Sequence, residues 1–304
     1  MQLDECEQWL VAPEFVDEAH FILRPCVKTQ ALARPNSYSF RTPLFAPLLT
    51  VAPFDTLEEA VAFVNSLDSV TSGLQSLDEE EQRYWKNNVK VGNLYINRGI
   101  TGAVVGRQPF GGMKGLASGG PNYLLQFMNV SDKEGTTTDY RKSYAEWYEK
   151  EFRHARNLHP EIRGEQNVFR YLPLKHGMLL RLIGDETKEQ VEMVACAAKT
   201  VGTPLTISAD KDNALLKTLD PAVRQLVDEE PMEELYIKGF ARVRIISAQM
   251  PQALVEAAKA AKVPLCQGAP VKNGRVELLR YLSEQSISNE YHRYGSQIEV
   301  PPVE

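Results

Sequence analysis

The residues best suited to contacting a ligand lie between Gly92 and Tyr123, in a run that reads GNLYINRGITGAVVGRQPFGGMKGLASGGPNY. Its beginning, Asn93–Asn97, has the alternation and the aromatic and β-branched content of a strand. Glycines then recur, and Phe110 stands at the tip of the rigid turn QPFGG. Because glycine has no Cβ, the backbone there can approach a ligand closely. The pattern predicts either a ligand-contacting loop or a tight hairpin turn without a ligand.

The cysteines and histidines show no metal-binding or paired-thiol pattern. The four cysteines are scattered without CxxC spacing, at Cys6, Cys26, Cys196 and Cys266. This distribution is typical of reduced thiols in a cytoplasmic protein. His154 and His159 have no carboxylate or cysteine neighbours at metal-ligand spacing, so we interpret them as surface residues. We therefore expect no metal site.

Composition narrows the class of protein and of partner. The 304 residues are 43% hydrophobic and 24% charged, which predicts a globular chain of two domains. A net charge of −6 argues against nucleic acid as a main partner, because phosphate binding requires concentrated Lys and Arg. No apolar run is long enough to predict a membrane span, and the acidic start MQLDECEQWL lacks the basic region of a secretory signal. We expect a cytoplasmic location.

The first half of the chain predicts alternating strands and helices. Leu48–Ala52 is expected to be a buried strand, and Thr56–Leu67 a helix that begins with a capping box formed by Thr56 and Glu59. A second helix is expected after Asp78, before the strand at Asn93. An aromatic-rich helix over Arg141–Arg156 is then followed by a linker or irregular arm over 157–173. This order favours α/β packing.

The second half predicts a parallel, Rossmann-like sheet, because strands and helices alternate with short connections. The predicted strands are Met178–Ile183, Pro204–Ser208, Arg242–Ser247 and Val263–Cys266, and the predicted helices are Lys188–Thr200, Asp220–Asp228 and Gln252–Lys262. This unit lacks a GxGxxG motif. The turn IGDE after its first strand has one glycine and two acids, which would repel a phosphate.

Several motifs together resemble those of a known family. The run from Gly92 to Tyr123, with its RQPFGG and GGPNYL segments, is similar to the closing part of an aldehyde dehydrogenase catalytic domain, and more narrowly to the L-glutamate γ-semialdehyde (Δ1-pyrroline-5-carboxylate) dehydrogenase of the proline-catabolic PutA type. FRTPLFAPLL at Phe40–Leu49 resembles the family motif TELFGPVL, and TSGLQS at Thr71–Ser76 resembles LTSGLQSLD. The segments Gly274–Leu279, Gln285–Ser288 and His292–Gly295 resemble the C-terminal tail of long PutA-like proteins.

The resemblance implies an α/β fold made of two parts. Residues 1–156 would be the C-terminal portion of the aldehyde dehydrogenase catalytic and substrate-anchor domain, and 157–173 a linker or arm. Residues 174–304 would be a Rossmann-like, non-catalytic aldehyde-dehydrogenase-like domain. Its tail, Glu290–Val300, would act as a flap or lid. The dinucleotide-binding half and the segment with the catalytic cysteine are expected to lie outside this chain.

The resemblance also assigns roles to individual residues. In this family a cysteine thiolate attacks the aldehyde and hydride passes to NAD, but no cysteine here matches that motif, so we expect no catalytic residue in this chain. Phe45 would lie by the nicotinamide ribose of NAD, and Phe110 would wall the aldehyde site. The backbone amides of Gly119 and Gly120 would hold the substrate α-carboxylate. Ser118 and Asn122 would lie at the rim.

Two departures from the family pattern bear on activity. The ribose-binding glutamate of the family falls on Pro43, which offers no acceptor oxygen on its side chain, and a family glycine becomes Ala46. The loop from Met113 to Ser118 is also shorter than the corresponding family loop. Both departures favour relaxed or lost catalysis by this chain.

Two functions therefore remain open at the level of sequence. The first is a C-terminal portion or subunit of an NAD-dependent dehydrogenase for L-glutamate γ-semialdehyde. Its partner would be an N-terminal aldehyde dehydrogenase half or a proline dehydrogenase chain, and oligomers are expected by resemblance. The second is a non-catalytic assembly or lid protein derived from this family, with no requirement for Phe110 or Gly119.

Overall fold

The N-terminal region forms a small sheet with one open face. A computed structural model of the chain describes residues 3–30, 37–111, 113, 124–125, 128, 130–133, 138–159, 161–293 and 296–297. The elements of this region are β1 (Glu7–Val11), β2 (Phe15–Asp17), β3 (Ile22–Leu23), β4 (Cys26–Gln30), α1 (Tyr38–Arg41) and β5 (Leu48–Val51). Strand β4 pairs antiparallel with β1 and parallel with β5. The prediction of a buried strand at Leu48 was wrong in its burial, because β5 is an edge strand and Leu49 is 59% exposed.

The next four elements confirm the predicted α/β order. They are α2 (Leu57–Ser66), β6 (Thr71–Leu74), α3 (Glu79–Asn88) and β7 (Asn93–Ile96). Helix α2 begins where the Thr56 hydroxyl accepts a hydrogen bond from the Glu59 amide at 3.2 Å. Helix α3 begins in the same way at the Asp78 carboxylate. Parallel pairing of β6 with β7 then brings the start of the glycine-rich stretch into a buried sheet.

The segment after the glycine-rich stretch is more regular than its sequence predicts. Helix α4 (Tyr140–Trp147) continues as a π-helical turn over Tyr148–Phe152, four residues short of the predicted end of this helix at Arg156. The predicted linker or irregular arm over 157–173 is largely strand, with the end of β8 (Arg156–Asn157) followed by β9 (Glu165–Pro173). Tertiary pairing explains the difference, since β9 is paired along its whole length with a strand more than a hundred residues later.

The Rossmann-like sheet has the predicted strands, all parallel, in the order β12-β11-β10-β13-β14. Its elements are β10 (Met178–Arg181), α5 (Lys188–Val201), β11 (Leu205–Ala209), α6 (Pro221–Arg224), β12 (Val227–Glu229), β13 (Arg242–Ile245), α7 (Gln252–Ala261) and β14 (Leu265–Gln267), with 3-10 turns at Ala214–Lys217 and Met232–Glu234. Gly202 ends α5 in the left-handed conformation, as predicted. The helix predicted over Asp220–Asp228 is one turn long, because the chain returns to the sheet as β12.

The last elements join the two halves of the chain. They are α8 (Gly274–Glu277), a 3-10 turn at Leu278–Tyr281, β15 (Leu282–Glu290), β16 (His292–Arg293) and β17 (Ser296–Gln297). Strand β15 lies between β7, to which it is parallel, and β9, to which it is antiparallel. The resulting sheet has the order β6-β7-β15-β9-β8 and crosses the predicted division at residue 173. Leu94, Val168 and Ile287 bury their side chains together in its core.

Candidate functional site

One strand residue holds the turn that carries Phe110. Asn93 is 1% exposed, and its backbone is paired on both sides in the sheet. Its side-chain Nδ2 donates to the Pro109 carbonyl at 3.0 Å, and its Oδ1 accepts from the Gly111 amide at 3.0 Å. Two bonds from one rigid amide fix the backbone on both sides of Phe110. The Phe110 ring remains 45% exposed, so it is presented at the surface of an ordered turn.

The loop before this turn, residues 97–111, is held by residues from the other half of the chain. We call it the Phe110 loop. Gln108 is 2% exposed and donates from Nε2 to Asn167 on β9 and to Ser288 on β15, each at 3.1 Å. Its Oε1 accepts from the Val104 amide at 2.9 Å. The loop therefore rests on the sheet that β9 and β15 complete.

Ion pairs reinforce the same contact. The Glu165 carboxylate at the start of β9 lies 3.1 Å from the Arg98 guanidinium and 3.4 Å from that of Arg107. Arg98 also donates to the Ser288 hydroxyl at 2.7 Å. These side chains are at most about a fifth exposed, so solvent screens them less than ordinary surface pairs.

The structure places only part of the predicted site. Phe110 lies on the ordered turn just described, whereas Ser118, Gly119, Gly120 and Asn122 lie outside the described residues. Phe45 lies between α1 and β5 and is fully exposed. The sequence analysis missed Asn93, Gln108, Asn167 and Ser288 as residues that position the loop. The signal for the first of these was a polar amide in a strand whose neighbours are apolar.

The cysteines lie on separate elements outside the Phe110 loop. Cys26 is buried in β4, Cys266 lies on β14 and Cys6 is exposed before β1. Burial raises the pKa of the Cys196 thiol in α5, which disfavours the nucleophilic thiolate. The Cys266 sulfur accepts a hydrogen bond from Arg280 at 3.1 Å. None of the four is placed next to Phe110.

A second glycine turn follows β10, where a Rossmann fold holds its dinucleotide. Gly184 has a φ of 109°, and the Glu186 side chain folds back under the turn. Its two carboxylate oxygens accept from the amides of Ile183 at 2.8 Å and of Gly184 at 2.9 Å. These amides are the donors that a pyrophosphate would need. The residues of this turn therefore do not fit NAD, because a carboxylate of the chain itself fills the anion position.

Comparison with known proteins now adds to the geometry. Residues 7–131 match the model of the aldehyde dehydrogenase family. This stretch of the chain is an aldehyde dehydrogenase segment. It ends just beyond the Phe110 loop, so the buried Asn93 and the turn that it holds lie within the aldehyde dehydrogenase segment.

Relatives and solved structures agree with this assignment. The 1-pyrroline-5-carboxylate dehydrogenase of Staphylococcus haemolyticus is 32% identical over 123 residues, which cover 39% of this chain and 24% of that protein. The 1-pyrroline-5-carboxylate dehydrogenase of Geobacillus kaustophilus is 34% identical over 119 residues, covering 38% and 23%. Proline Utilization A (PutA) from Corynebacterium freiburgense is similar over 96% of this chain and 30% of its own, with 31% identity and a TM-score of 0.75.

The extents of these matches divide the chain. The aldehyde dehydrogenase segment is shared with the dehydrogenases, while the PutA structure extends the similarity through the Rossmann-like sheet. The mixed α/β fold with parallel sheets is that of the PutA structure, as predicted. The chain spans about a quarter of the length of the curated relatives that it matches. Within the described residues, no helix has the length and apolar character needed to cross a membrane.

Proposed function

We propose that this chain is the C-terminal portion or subunit of an NAD-dependent aldehyde dehydrogenase that oxidises L-glutamate γ-semialdehyde to glutamate in proline catabolism. The observation that carries the proposal is the fixed turn at Phe110, held on both sides by Asn93. The similarity to 1-pyrroline-5-carboxylate dehydrogenases and to PutA supplies the substrate class. An ordered loop with an exposed aromatic tip suits a wall of a substrate pocket better than it suits a connecting turn.

The chain's own contribution would be to position and enclose the substrate. Phe110 would cover one side of the aldehyde and exclude water from it. The amides of Gly119 and Gly120 would bind the α-carboxylate, with Ser118 at the rim. Asn93 and Gln108 would act as positioning residues, because they touch the loop and not the substrate.

The cysteine and the NAD site would come from another polypeptide. The turn at Gly184 does not fit NAD, and Pro43 has no side-chain acceptor for a ribose hydroxyl. We infer that the partner carries a dinucleotide-binding domain and the nucleophilic cysteine, and that Phe45 contacts the nicotinamide ribose only in the assembled enzyme. The open apolar face of the N-terminal sheet, with Leu10, Leu49 and Phe15 exposed, suits such a partner.

A second candidate is a non-catalytic assembly or lid protein. The pairing of β15 with β7 favours it, because a strand of the Rossmann-like part already covers an edge of the aldehyde dehydrogenase segment. In that case the chain would bind the same partner without needing Phe110.

The test is NAD⁺-dependent oxidation of L-glutamate γ-semialdehyde by the chain alone and mixed with the product of the gene immediately upstream. We expect activity only in the mixture. Phe110→Ala and Gly119→Pro should each lower it by about 100-fold, the effect expected when a substrate-positioning contact is lost. Val105→Ala is the matched control, because Val105 is 97% exposed on the same loop and should leave activity unchanged.

The two candidates separate in the same experiment. A stable complex without activity would overturn the catalytic proposal and support the assembly role. Activity that survives both substitutions would show that the substrate wall is elsewhere. Co-elution of each variant with the partner would confirm that a loss of rate is not a loss of assembly.

A further inference from the structure

A large cleft lies between the aldehyde dehydrogenase segment and the Rossmann-like sheet. Its volume is about 840 Å³, which is the size of a small-molecule site. One wall comes from the end of α3 and the residues after it, and the opposite wall from the end of α7 and the amino ends of β13 and β14. Strand β9 forms the floor with Arg170 and Leu172. We call this space the basic cleft.

The charges that line the basic cleft have one dominant sign. Five of the described lining residues are cationic, namely Lys90, Arg170, Lys175, Lys259 and Lys262, and His176 adds a titratable group. Asp68 is the one carboxylate among the described lining residues. The chain as a whole carries a net charge of −6, so this concentration of positive charge runs against its composition.

Arg170 is the cation that lies deepest in the cleft. It is 6% exposed, and burial lowers the pKa of its guanidinium to about 10. Its acceptors are all neutral: Gln285 Oε1 at 2.9 and 2.7 Å and the Lys86 carbonyl at 2.6 Å. In the part of the chain that the structure describes, no carboxylate lies within 4 Å of Arg170. A buried cation without a counter-charge is costly, and native proteins normally pair it.

A second buried cation lies directly behind the first. Lys86 is also 6% exposed, and it is the residue whose carbonyl Arg170 contacts. Burial lowers the pKa of its ammonium, and the positive charges of Arg170 and Arg83 lower it further. Two buried cations therefore stand together without a carboxylate, a deficit that an anion in the basic cleft would offset.

The remaining walls are apolar and define the rest of the ligand. Leu172, Phe240 and Val263 line the cleft beside the cations. We propose that the basic cleft binds a small organic anion, a carboxylate or phosphate carried on an apolar body, with the anion at Arg170 and the body against Phe240. This site stands apart from the Phe110 loop and is independent of the proposed dehydrogenase activity.

Calorimetric titration of the full chain with three small probes tests the proposal. Benzoate and phenyl phosphate carry the anion on an apolar ring, and benzamide has the same shape without the charge. We expect at least one anion to bind about tenfold or more tightly than benzamide, with affinity that falls as salt is raised. The stronger of the two anions identifies the ligand as carboxylate or phosphate.

Variants locate the binding. The double substitution Lys259→Ala with Lys262→Ala, at the end of α7, should weaken the anion by about tenfold. Lys199→Ala is the matched control, because it removes an exposed lysine from the last turn of α5 and should change nothing. Arg170→Met should abolish the preference for the anion, provided that circular dichroism shows an unchanged fold. Equal affinity for benzoate, phenyl phosphate and benzamide, or no saturation by either anion to about 10 mM, would overturn the proposal.

Discussion

Two buried arginines in neighbouring sheets have opposite surroundings. Arg244 on β13 is fully buried against the carboxylate of Glu277 and the hydroxyl of Tyr281, both also fully buried. Burial alone would lower the pKa of Arg244, but the neighbouring Glu277 raises it above its usual value. Arg170 on β9 has only amide and carbonyl acceptors, with Lys86 beside it, and its pKa is lowered.

The difference separates a finished structural contact from an open one. Glu277 also accepts hydrogen bonds from the Val271 amide at 3.1 Å and the Tyr281 hydroxyl at 2.8 Å, so each of its oxygens is used within the Rossmann-like part. Arg170 instead faces a cleft large enough for a ligand. Burial alone therefore does not mark a functional charge, whereas burial without a counter-charge at a cavity does.

Breaking the closed pair should have the largest effect on stability. Glu277→Gln removes the carboxylate and leaves the Arg244 charge buried and unpaired, so we expect the free energy of unfolding to fall by about 4 kcal/mol. Urea denaturation measures the change. Glu151→Gln is the control, because Glu151 pairs with Arg275 at 2.8 Å on a mostly exposed surface and should cost less than about 1 kcal/mol. Equal losses for the two variants would contradict the comparison.

A buried anion satisfied only by neutral donors should have an intermediate effect. Glu186 is 8% exposed and is bound by the amides of Ile183 and Gly184. Glu186→Ala leaves both amides without their acceptor, and we expect a loss of about 2 kcal/mol in the same denaturation experiment. Inorganic phosphate should restore part of this stability in Glu186→Ala and none in the parent chain. Glu233→Ala, at an exposed position, should show neither effect.

Removing one of the two unbalanced cations should have the smallest effect, and of opposite sign. Lys86→Met keeps the apolar stem and removes the buried charge, so we expect the free energy of unfolding to rise by about 1 kcal/mol near neutral pH. Lys142→Met, on the exposed face of α4, is the control. A loss of stability in Lys86→Met, with the control unchanged, would show that the charge is compensated.

The pH dependence of this difference gives a second check on its sign. The pKa of Lys86 is lower in the folded chain than its ordinary value of 10.5. Between those two values the unfolded chain binds more protons, so the stability of the parent chain gains from Lys86 as pH rises. The advantage of Lys86→Met should therefore shrink through this alkaline range. Because the buried tyrosines are common to both proteins, their titration cancels in the difference.

Much of the local structure was predictable because it depends on neighbours in sequence. The caps at Thr56, Asp78 and Gly202 and the strand at Asn93 all occur where the pattern predicts them. The motifs of the Phe110 loop also predicted the family of the segment, which the comparisons confirm. Their proposed roles in binding, including those of Phe45, Ser118, Gly119 and Gly120, stay predictions.

The sequence by itself determined the elements, the α/β class and the family of the first segment, since capping, periodicity and motif are short-range properties. Tertiary structure alone decided that β15 lies between β7 and β9, which turned a predicted arm into a sheet strand. It also decided which charges are neutralised. Arg244 meets Glu277 across more than thirty residues, while Arg170 meets only neutral groups. No local pattern encodes such pairings, because they depend on where distant strands come together in space.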